Sequence, residues 1–189
     1  QMMNTIGNHT GIEKVTYGVT DLDKAKAFWT DFGLTPVDSG NGYPAFAAQN
    51  GASVEIRPAD DPGLAPPVGE DVDATVREAM FGVKSQDDLD ALEVNLSADR
   101  DVRKDADGSI HTVDPVGFGL GFRVKQTTPV LAPELEMNIP GRPKRVNRRA
   151  EQVAKASPFE ISHIVYMTDD LETHKEFYVD RLGFKLTDA

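Results

Sequence analysis

The sequence predicts an α+β protein built from repeated βαβββ units, in which a pair of units forms one curved mixed sheet, or half-barrel. Residues 12–31, IEKVTYGVTDLDKAKAFWTD, align without a gap with residues 161–180, ISHIVYMTDDLETHKEFYVD. An internal repeat of this kind indicates a structural unit that occurs more than once. The first copy also joins a strand pattern to a helical pattern and then to short apolar runs between turn residues, which is the order of a βαβββ unit.

The first unit can be divided into its elements from residue types alone. Apolar and polar residues alternate from Val15 to Val19, which predicts a strand. Apolar residues at helical spacing over residues 22–32 predict a helix, with Asp21 as its N-cap and Gly33 at its end. The turn sequences SGNG and QNG then separate three short strand candidates. These candidates are residues 34–38, 43–48 and 52–57.

A second, more divergent unit follows a connector rich in proline and glycine at residues 60–69. We expect a helix over residues 88–96 with Ser85 or Asp87 as its N-cap. We expect strands at residues 75–84, 102–104, 109–113 and 119–125. Gly117, Gly119 and Gly121 form a GxGxG string at the last of these strands, but no helix follows it, so a dinucleotide-binding loop is not predicted.

The order of these patterns predicts three segments. Residues 1–125 form an N-terminal domain of two units, at about 10–59 and 70–125, and residues 126–158, with five prolines and a basic run, form a linker. Residues 159–189 begin a third unit, and the sequence stops where the first copy continues through its remaining strands, so we expect a truncated C-terminal domain. Half a unit would expose apolar side chains and favour association with a neighbouring chain, or local disorder. The side chains concerned are Phe177, Tyr178, Leu182 and Phe184.

Composition limits the chemistry. The 189 residues contain no cysteine, so a metal would be held by His and carboxylate side chains, which suits Fe(II) or Mn(II). A net charge of -11 makes a nucleic-acid surface unexpected, because phosphate binding relies on clustered Lys and Arg. No apolar run reaches the ~18 residues of a membrane helix, and no secretory signal opens the sequence, so we expect a cytoplasmic protein without a membrane partner.

Several motifs together resemble a known superfamily. They are the repeated units, the strand-DL-helix-FY-D-LGF order, the DGxIxxxDPxG stretch at residues 107–117 and the NxPGxxxRxN stretch at residues 138–147. With His163 in the first strand of the third unit, they resemble the vicinal oxygen chelate superfamily, which includes glyoxalase I, bleomycin resistance proteins and type I extradiol dioxygenases. The count of units resembles the extradiol dioxygenases, which have four units, a metal-free pair and then a catalytic pair.

The resemblance implies a metal site and an activity. In extradiol enzymes Fe(II) is held by one His from the third unit and by a His and a Glu from the fourth, and His163 matches the first of these ligands. The other two would lie beyond residue 189. The implied function is the N-terminal part of a ring-cleaving dioxygenase, inactive alone and homo-oligomeric, that acts with Fe(II) or Mn(II) on a catechol-type diol and dioxygen. Two alternatives remain: a small-molecule binding module of the bleomycin-resistance type, and a glyoxalase-type lyase or epimerase with a metal site between subunits.

The first pair of units is expected to be structural. By the repeat alignment Lys14 and Glu78 occupy the position of His163, and a charged Lys cannot coordinate a metal. We expect Glu55 to be a satisfied polar residue that faces a vestigial groove, in a pair of units that braces the catalytic pair or contributes to a subunit interface.

The remaining histidines and aromatic residues receive structural interpretations. We expect His111 at a surface strand end, His174 in solvent on a helix, and His9 in a frayed N-terminus. The aromatic residues at helix positions are expected in the core, namely Phe28, Trp29, Phe177 and Tyr178. The basic run is expected to pair with the acidic surface of its own domains. It comprises Arg142, Lys144, Arg145, Arg148 and Arg149.

Overall fold

The elements of the first two units follow the predicted order closely. The structure is a computed structural model that describes residues 6–69, 73–131, 138–144, 149 and 155–187. The first unit contains β1 (His9–Val19), α1 (Leu22–Phe32), β2 (Thr35–Val37), β3 (Ala45–Ala47) and β4 (Ser53–Pro58). The second unit contains β5 (Ala74–Val83), α2 (Gln86–Leu96), β6 (Arg103–Lys104), β7 (Ile110–Val113) and β8 (Gly119–Val124).

Both units share one mixed sheet. Its strand order is β2-β3-β4-β1-β5-β8-β7-β6, so each unit contributes four strands in the same internal order, related by a pseudo-twofold axis. The first strand of each unit pairs in parallel with the last strand of its own unit, and β1 pairs with β5 antiparallel at the centre. The predicted α+β class and the curved, open sheet of paired βαβββ units are confirmed.

The helix ends show why the chain folds locally as it does. The Asp21 side chain accepts a hydrogen bond from the backbone N–H of Lys24 at 2.9 Å, and Gly33 ends α1 in the left-handed conformation with φ of 104°. In α2 the cap is Ser85, whose hydroxyl accepts from the N–H of Asp88 at 3.2 Å. The helix therefore begins at Gln86, two residues before the predicted start.

Each unit buries its own apolar cluster between its helix and the sheet. In the first unit the buried members come from the strands and from the chain next to them, and they are Val19, Leu34, Phe46, Ala48, Val54 and Ile56. In the second unit the helix contributes as well, and the members are Val83, Leu89, Leu92, Leu96, Ile110, Leu120 and Phe122. Because strand side chains alternate between faces, the residues between these positions lie on the face away from the helices.

The third copy does not build its own sheet. No strand forms among residues 155–170, since no neighbouring strand is present in the described chain to satisfy the backbone groups of its predicted first strand. Helix α3 (Leu171–Lys175) continues as a π-helical turn (Glu176–Arg181), and Phe177 and Leu182 join the apolar cluster of the second unit. The expected exposure of Phe177 and Leu182 is wrong, because both side chains pack against the α2 leucines of the same chain. Association with a neighbouring chain stays a prediction.

The remaining predictions about single elements have separate outcomes. Phe28 is 56% exposed and not in the core, whereas Trp29 packs against the first cluster. The segment predicted as a linker contains a short hairpin of β9 (Asn138–Ile139) and β10 (Arg142–Pro143). Arg145 and Arg148 of the basic run lie outside the described residues. Among the residues that the structure describes, no helix is both long and apolar enough to cross a bilayer.

The two strand glycines of β8 allow a test of the sheet. A Cβ at position 119 would meet the backbone carbonyl of Arg77 on β5, so Gly119→Ala should destabilise the fold by about 1–3 kcal/mol. Gly121→Ala is the matched control, because its Cβ would meet only the movable ends of Met80, at 3.0 Å, and Glu78, at 3.2 Å. Urea unfolding of both variants measures the difference, and equal losses would contradict this account of Gly119.

Candidate functional site

The sheet face opposite the helices carries the positions that the repeat alignment singles out. Lys14 lies opposite Ser53, and two residues further Thr16 lies opposite Glu55. In the second unit Glu78 lies opposite Gly119, and Met80 lies opposite Gly121. The same registers recur in both units, so the strand positions of Lys14 and Glu78 are equivalent, as are those of Glu55 and Gly121.

In the first unit this face is closed by an ion-pair cluster around Glu55. The carboxylate is 1% exposed and accepts from Arg57 Nε at 2.7 Å, Asn41 Nδ2 at 3.0 Å and Lys14 Nζ at 3.5 Å. Burial would raise the pKa of the Glu55 carboxyl, but Lys14, Asn41 and Arg57 together lower it below 4.5. The expectation of a satisfied polar residue at Glu55 is confirmed.

In the second unit the equivalent space is occupied by a histidine. His111 Nδ1 lies 2.8 Å from Glu78 Oε2, and its Nε2 lies 2.8 Å from Ser109 Oγ and 3.2 Å from Asp105 Oδ2. The side chain of His111 is only 11% exposed, so the expected surface position is wrong. Strand alternation could have predicted this position, because His111 follows Ile110, which is buried on the helix side of the sheet, and therefore lies on the opposite face. There it lies opposite Gly121, which leaves space for an imidazole.

These arrangements do not fit a metal ion. Within the described ranges, no three His, Asp or Glu side chains come together in a way that could hold one. The Lys14 ammonium stands where a ligand would be needed, and an ammonium has no lone pair to donate. We therefore assign this face to contacts among the protein's own polar and charged side chains.

His163 lies in the segment that leads to α3. It is exposed, and its Nδ1 lies 3.2 Å from Ser162 Oγ. The chain before it is attached to the first unit, because the carbonyl of Phe159 accepts from the N–H of Asn50 at 2.9 Å and Ile161 packs on the first apolar cluster. A metal-ligating role for His163 stays a prediction.

Sequence reasoning missed a buried polar cluster where the third copy meets the second unit. Asp114 accepts from Tyr178 Oη at 2.9 Å and lies 3.1 Å from His174 Nε2, with both carboxylate and imidazole buried. Burial raises the pKa values of the Tyr166 and Tyr178 hydroxyls, and neighbouring Asp114 raises them further. The expected solvent position of His174 is wrong, because packing of the third-copy helix on the second unit covers its imidazole.

His9 is also part of the folded structure, contrary to the expected fraying. Its ring stacks on Phe184 with centroids 4.0 Å apart, and its Nε2 lies 2.7 Å from the carbonyl oxygen of Leu182. Burial lowers the pKa of His9 below 6.5. The first strand and the end of the third copy are thus joined through one imidazole.

Comparison with solved structures places this geometry among known folds. The Mn(II)-bound glyoxalase from Novosphingobium aromaticivorans aligns with a TM-score of 0.62 and 24% identity over 95% of this chain and 54% of its own. A variant of homoprotocatechuate 2,3-dioxygenase from Brevibacterium fuscum aligns with a TM-score of 0.65 and 16% identity, over 99% of this chain and 48% of its own. A catechol 2,3-dioxygenase aligns with a TM-score of 0.57 and 18% identity, over 95% of this chain and 56% of its own.

The chain has the vicinal oxygen chelate fold. At these identities the likeness concerns the fold alone, and the chain spans about half the length of the structures it matches. No protein-family model matches the sequence, and no curated protein matches it.

The Glu55 cluster predicts a cost for losing one cation. Lys14→Met leaves a buried carboxylate with fewer partners, so it should reduce the free energy of unfolding by about 1–3 kcal/mol at neutral pH. Lys26→Met is the matched control: it breaks an exposed pair with Asp23 and should cost less than about 0.5 kcal/mol. Denaturant titration measures both, and equal effects would show that Lys14 does not stabilise Glu55.

His9 predicts a pH dependence. Because its pKa is lower in the folded chain, the unfolded chain binds more protons just below pH 6.5, and stability should fall as the pH is lowered through that value. His9→Phe keeps an aromatic ring against Phe184 and removes the titrating group, so its melting temperature should fall less between about pH 7.5 and 5.5. His163→Gln, at an exposed position, should retain the wild-type dependence. An unchanged pH dependence in His9→Phe would contradict the assignment.

Proposed function

We propose that this chain is the N-terminal part of a metal-dependent extradiol dioxygenase that cleaves the ring of a catechol-type diol with dioxygen. One observation carries the proposal: a third copy of the repeat, with His163 at the ligand position, follows a complete pair of units. In that pair the equivalent positions are occupied by the Lys14–Glu55 and Glu78–His111 contacts. The first pair would then act as a scaffold.

The proposal requires residues outside the present sequence. A two-His, one-carboxylate site for Fe(II), or Mn(II), needs a second His and a carboxylate besides His163, and such a triad leaves positions open for the diol and dioxygen. Two of the structural neighbours are 2,3-dioxygenases by name, one of homoprotocatechuate and one of catechol, and this chain spans about half of each, which supports a longer protein. Residues 1–189 alone should therefore be inactive.

A second candidate has an observation of its own. The glyoxalase neighbour is Mn(II)-bound and is 24% identical over 95% of this chain. A glyoxalase-type lyase would complete its metal site from residues of two subunits. In that case the 189-residue chain should bind Mn(II) as an oligomer and should not turn over catechol, whereas the dioxygenase proposal requires a longer chain for both binding and turnover.

The decisive test uses the natural gene product read through to its own stop codon. It should bind Fe(II) and turn catechol or 2,3-dihydroxybiphenyl into a yellow ring-opened product, and His163→Ala should lose the bound iron together with the turnover. Because His163 is exposed, the same change in the 189-residue chain should alter its free energy of unfolding by less than about 0.5 kcal/mol. His111→Gln is the control and should retain iron, since His111 contacts Glu78 in the first pair. Full iron content in His163→Ala would overturn the assignment.

A further inference from the structure

The helices of the two units are covered to very different degrees. A constant offset of 64 residues relates α1 to α2, including the N-caps Asp21 and Ser85. On α2 the leucines that face the sheet are buried, whereas α1 has no buried residue. Phe28 and Phe32 occupy the positions equivalent to the buried Leu92 and Leu96, but they are 56% and 53% exposed. The difference therefore lies in what packs on each helix.

The second unit is covered by residues 171–184 of the third copy. Phe177 and Leu182 complete its apolar cluster, and Phe184 stacks on His9 and meets Phe81 edge-on at 5.1 Å. At the rim Arg181 donates to Asn95 Oδ1 at 2.9 Å and to Asp99 at 2.8 Å. A helix and its following turn thus fill the space between α2 and the central strands.

The first unit has an open cavity of about 590 Å³ at the matching place. The apolar and aromatic residues of its wall are Tyr17, Val19, Ala25, Phe28, Trp29 and Ala74. The pseudo-twofold axis relates Tyr17 to Phe81. It also relates Ala74 to His9, because Ala74 pairs with Val19 and His9 pairs with the equivalent residue Val83. Phe81 and His9 are the residues that contact Phe184 in the second unit.

We propose that this cavity receives the helix and following turn of a fourth βαβββ unit of the same polypeptide. The inference rests on the proposed function, which places such a unit after residue 189. A protein as long as the matched structures would have about as much chain again as the present sequence. Exposed Asp31 stands at the position equivalent to Asn95, so we expect the fourth unit to carry a cation at the position equivalent to Arg181.

The only tryptophan reports on this contact, because Trp29 lies in the cavity wall. We would compare Trp29 emission and acrylamide quenching in the natural gene product and in the 189-residue chain, each with any further tryptophan replaced by Phe. Docking of the fourth unit should shift the emission to shorter wavelength and reduce the quenching constant several-fold. Equal quenching in the two proteins would overturn the proposal.

A charge placed in the cavity provides the second measurement. Phe28→Asp should lower the melting temperature of the natural product by several degrees and restore quenching of Trp29. In the 189-residue chain it should change the melting temperature by less than about 2 °C, because Phe28 is already exposed there. Val94→Asp is the matched control, at a 75% exposed apolar position on α2, and it should change neither protein.

The outcomes separate this inference from the proposed function. Shielded Trp29 in a longer protein that binds no iron would support the docking and reject the dioxygenase. Iron-dependent turnover with Trp29 fully quenched would do the reverse. Protection of Trp29 in the 189-residue chain that rises with protein concentration would show a second copy as the occupant, and protection by added catechol would show a small ligand. Either result would overturn the proposal.

Discussion

The antiparallel pairing of β1 with β5 is the interaction on which the rest of the structure depends. Each of these strands uses its other edge to pair with the last strand of its own unit, so their mutual pairing converts two four-stranded half-sheets into one. Without it each unit would expose the unpaired backbone groups along one edge of its first strand, which makes a sheet prone to association. Fully buried Glu13 reinforces this junction by accepting from Arg123 of β8 and from Thr127 of the chain that follows.

The same pairing brings four potential ligand positions onto one face, and the residue types there decide against a metal. The residues at these positions are Lys14, Glu55, Glu78 and Gly121. Lys14 and Arg57 pair with the Glu55 carboxylate, and the His111 imidazole contacts the Glu78 carboxylate in the space that Gly121 leaves. A buried carboxylate that keeps its charge needs such partners. The face is therefore saturated by the protein itself, which is consistent with a supporting role for the first pair of units.

The third copy illustrates how one sequence pattern can have different structural outcomes. Its helix forms, because the Asp170 cap acts within a few residues, with its side chain accepting from the N–H of Thr173 at 3.2 Å. Its first strand does not form in the described chain, because a strand depends on a neighbour for its backbone hydrogen bonds. Its apolar side chains are buried on α2 and leave the corresponding face of α1 open, so the two pseudo-symmetric units become different.

The sequence by itself determined the local elements and their repetition. Alternation, helical spacing and the capping residues predicted α1 to the residue and most of the eight sheet strands to within two residues, since these signals act over a few neighbours. The repeat alignment also predicted the equivalence of Lys14 with Glu78 and the satisfied state of Glu55. Only the tertiary structure decided the environments of His9, His111 and His174, and the exposure of Phe28. Each depends on a contact with a residue or surface distant in sequence, such as Leu182, Glu78 or Asp114, and the local pattern around a histidine does not encode which partner the fold will bring to it.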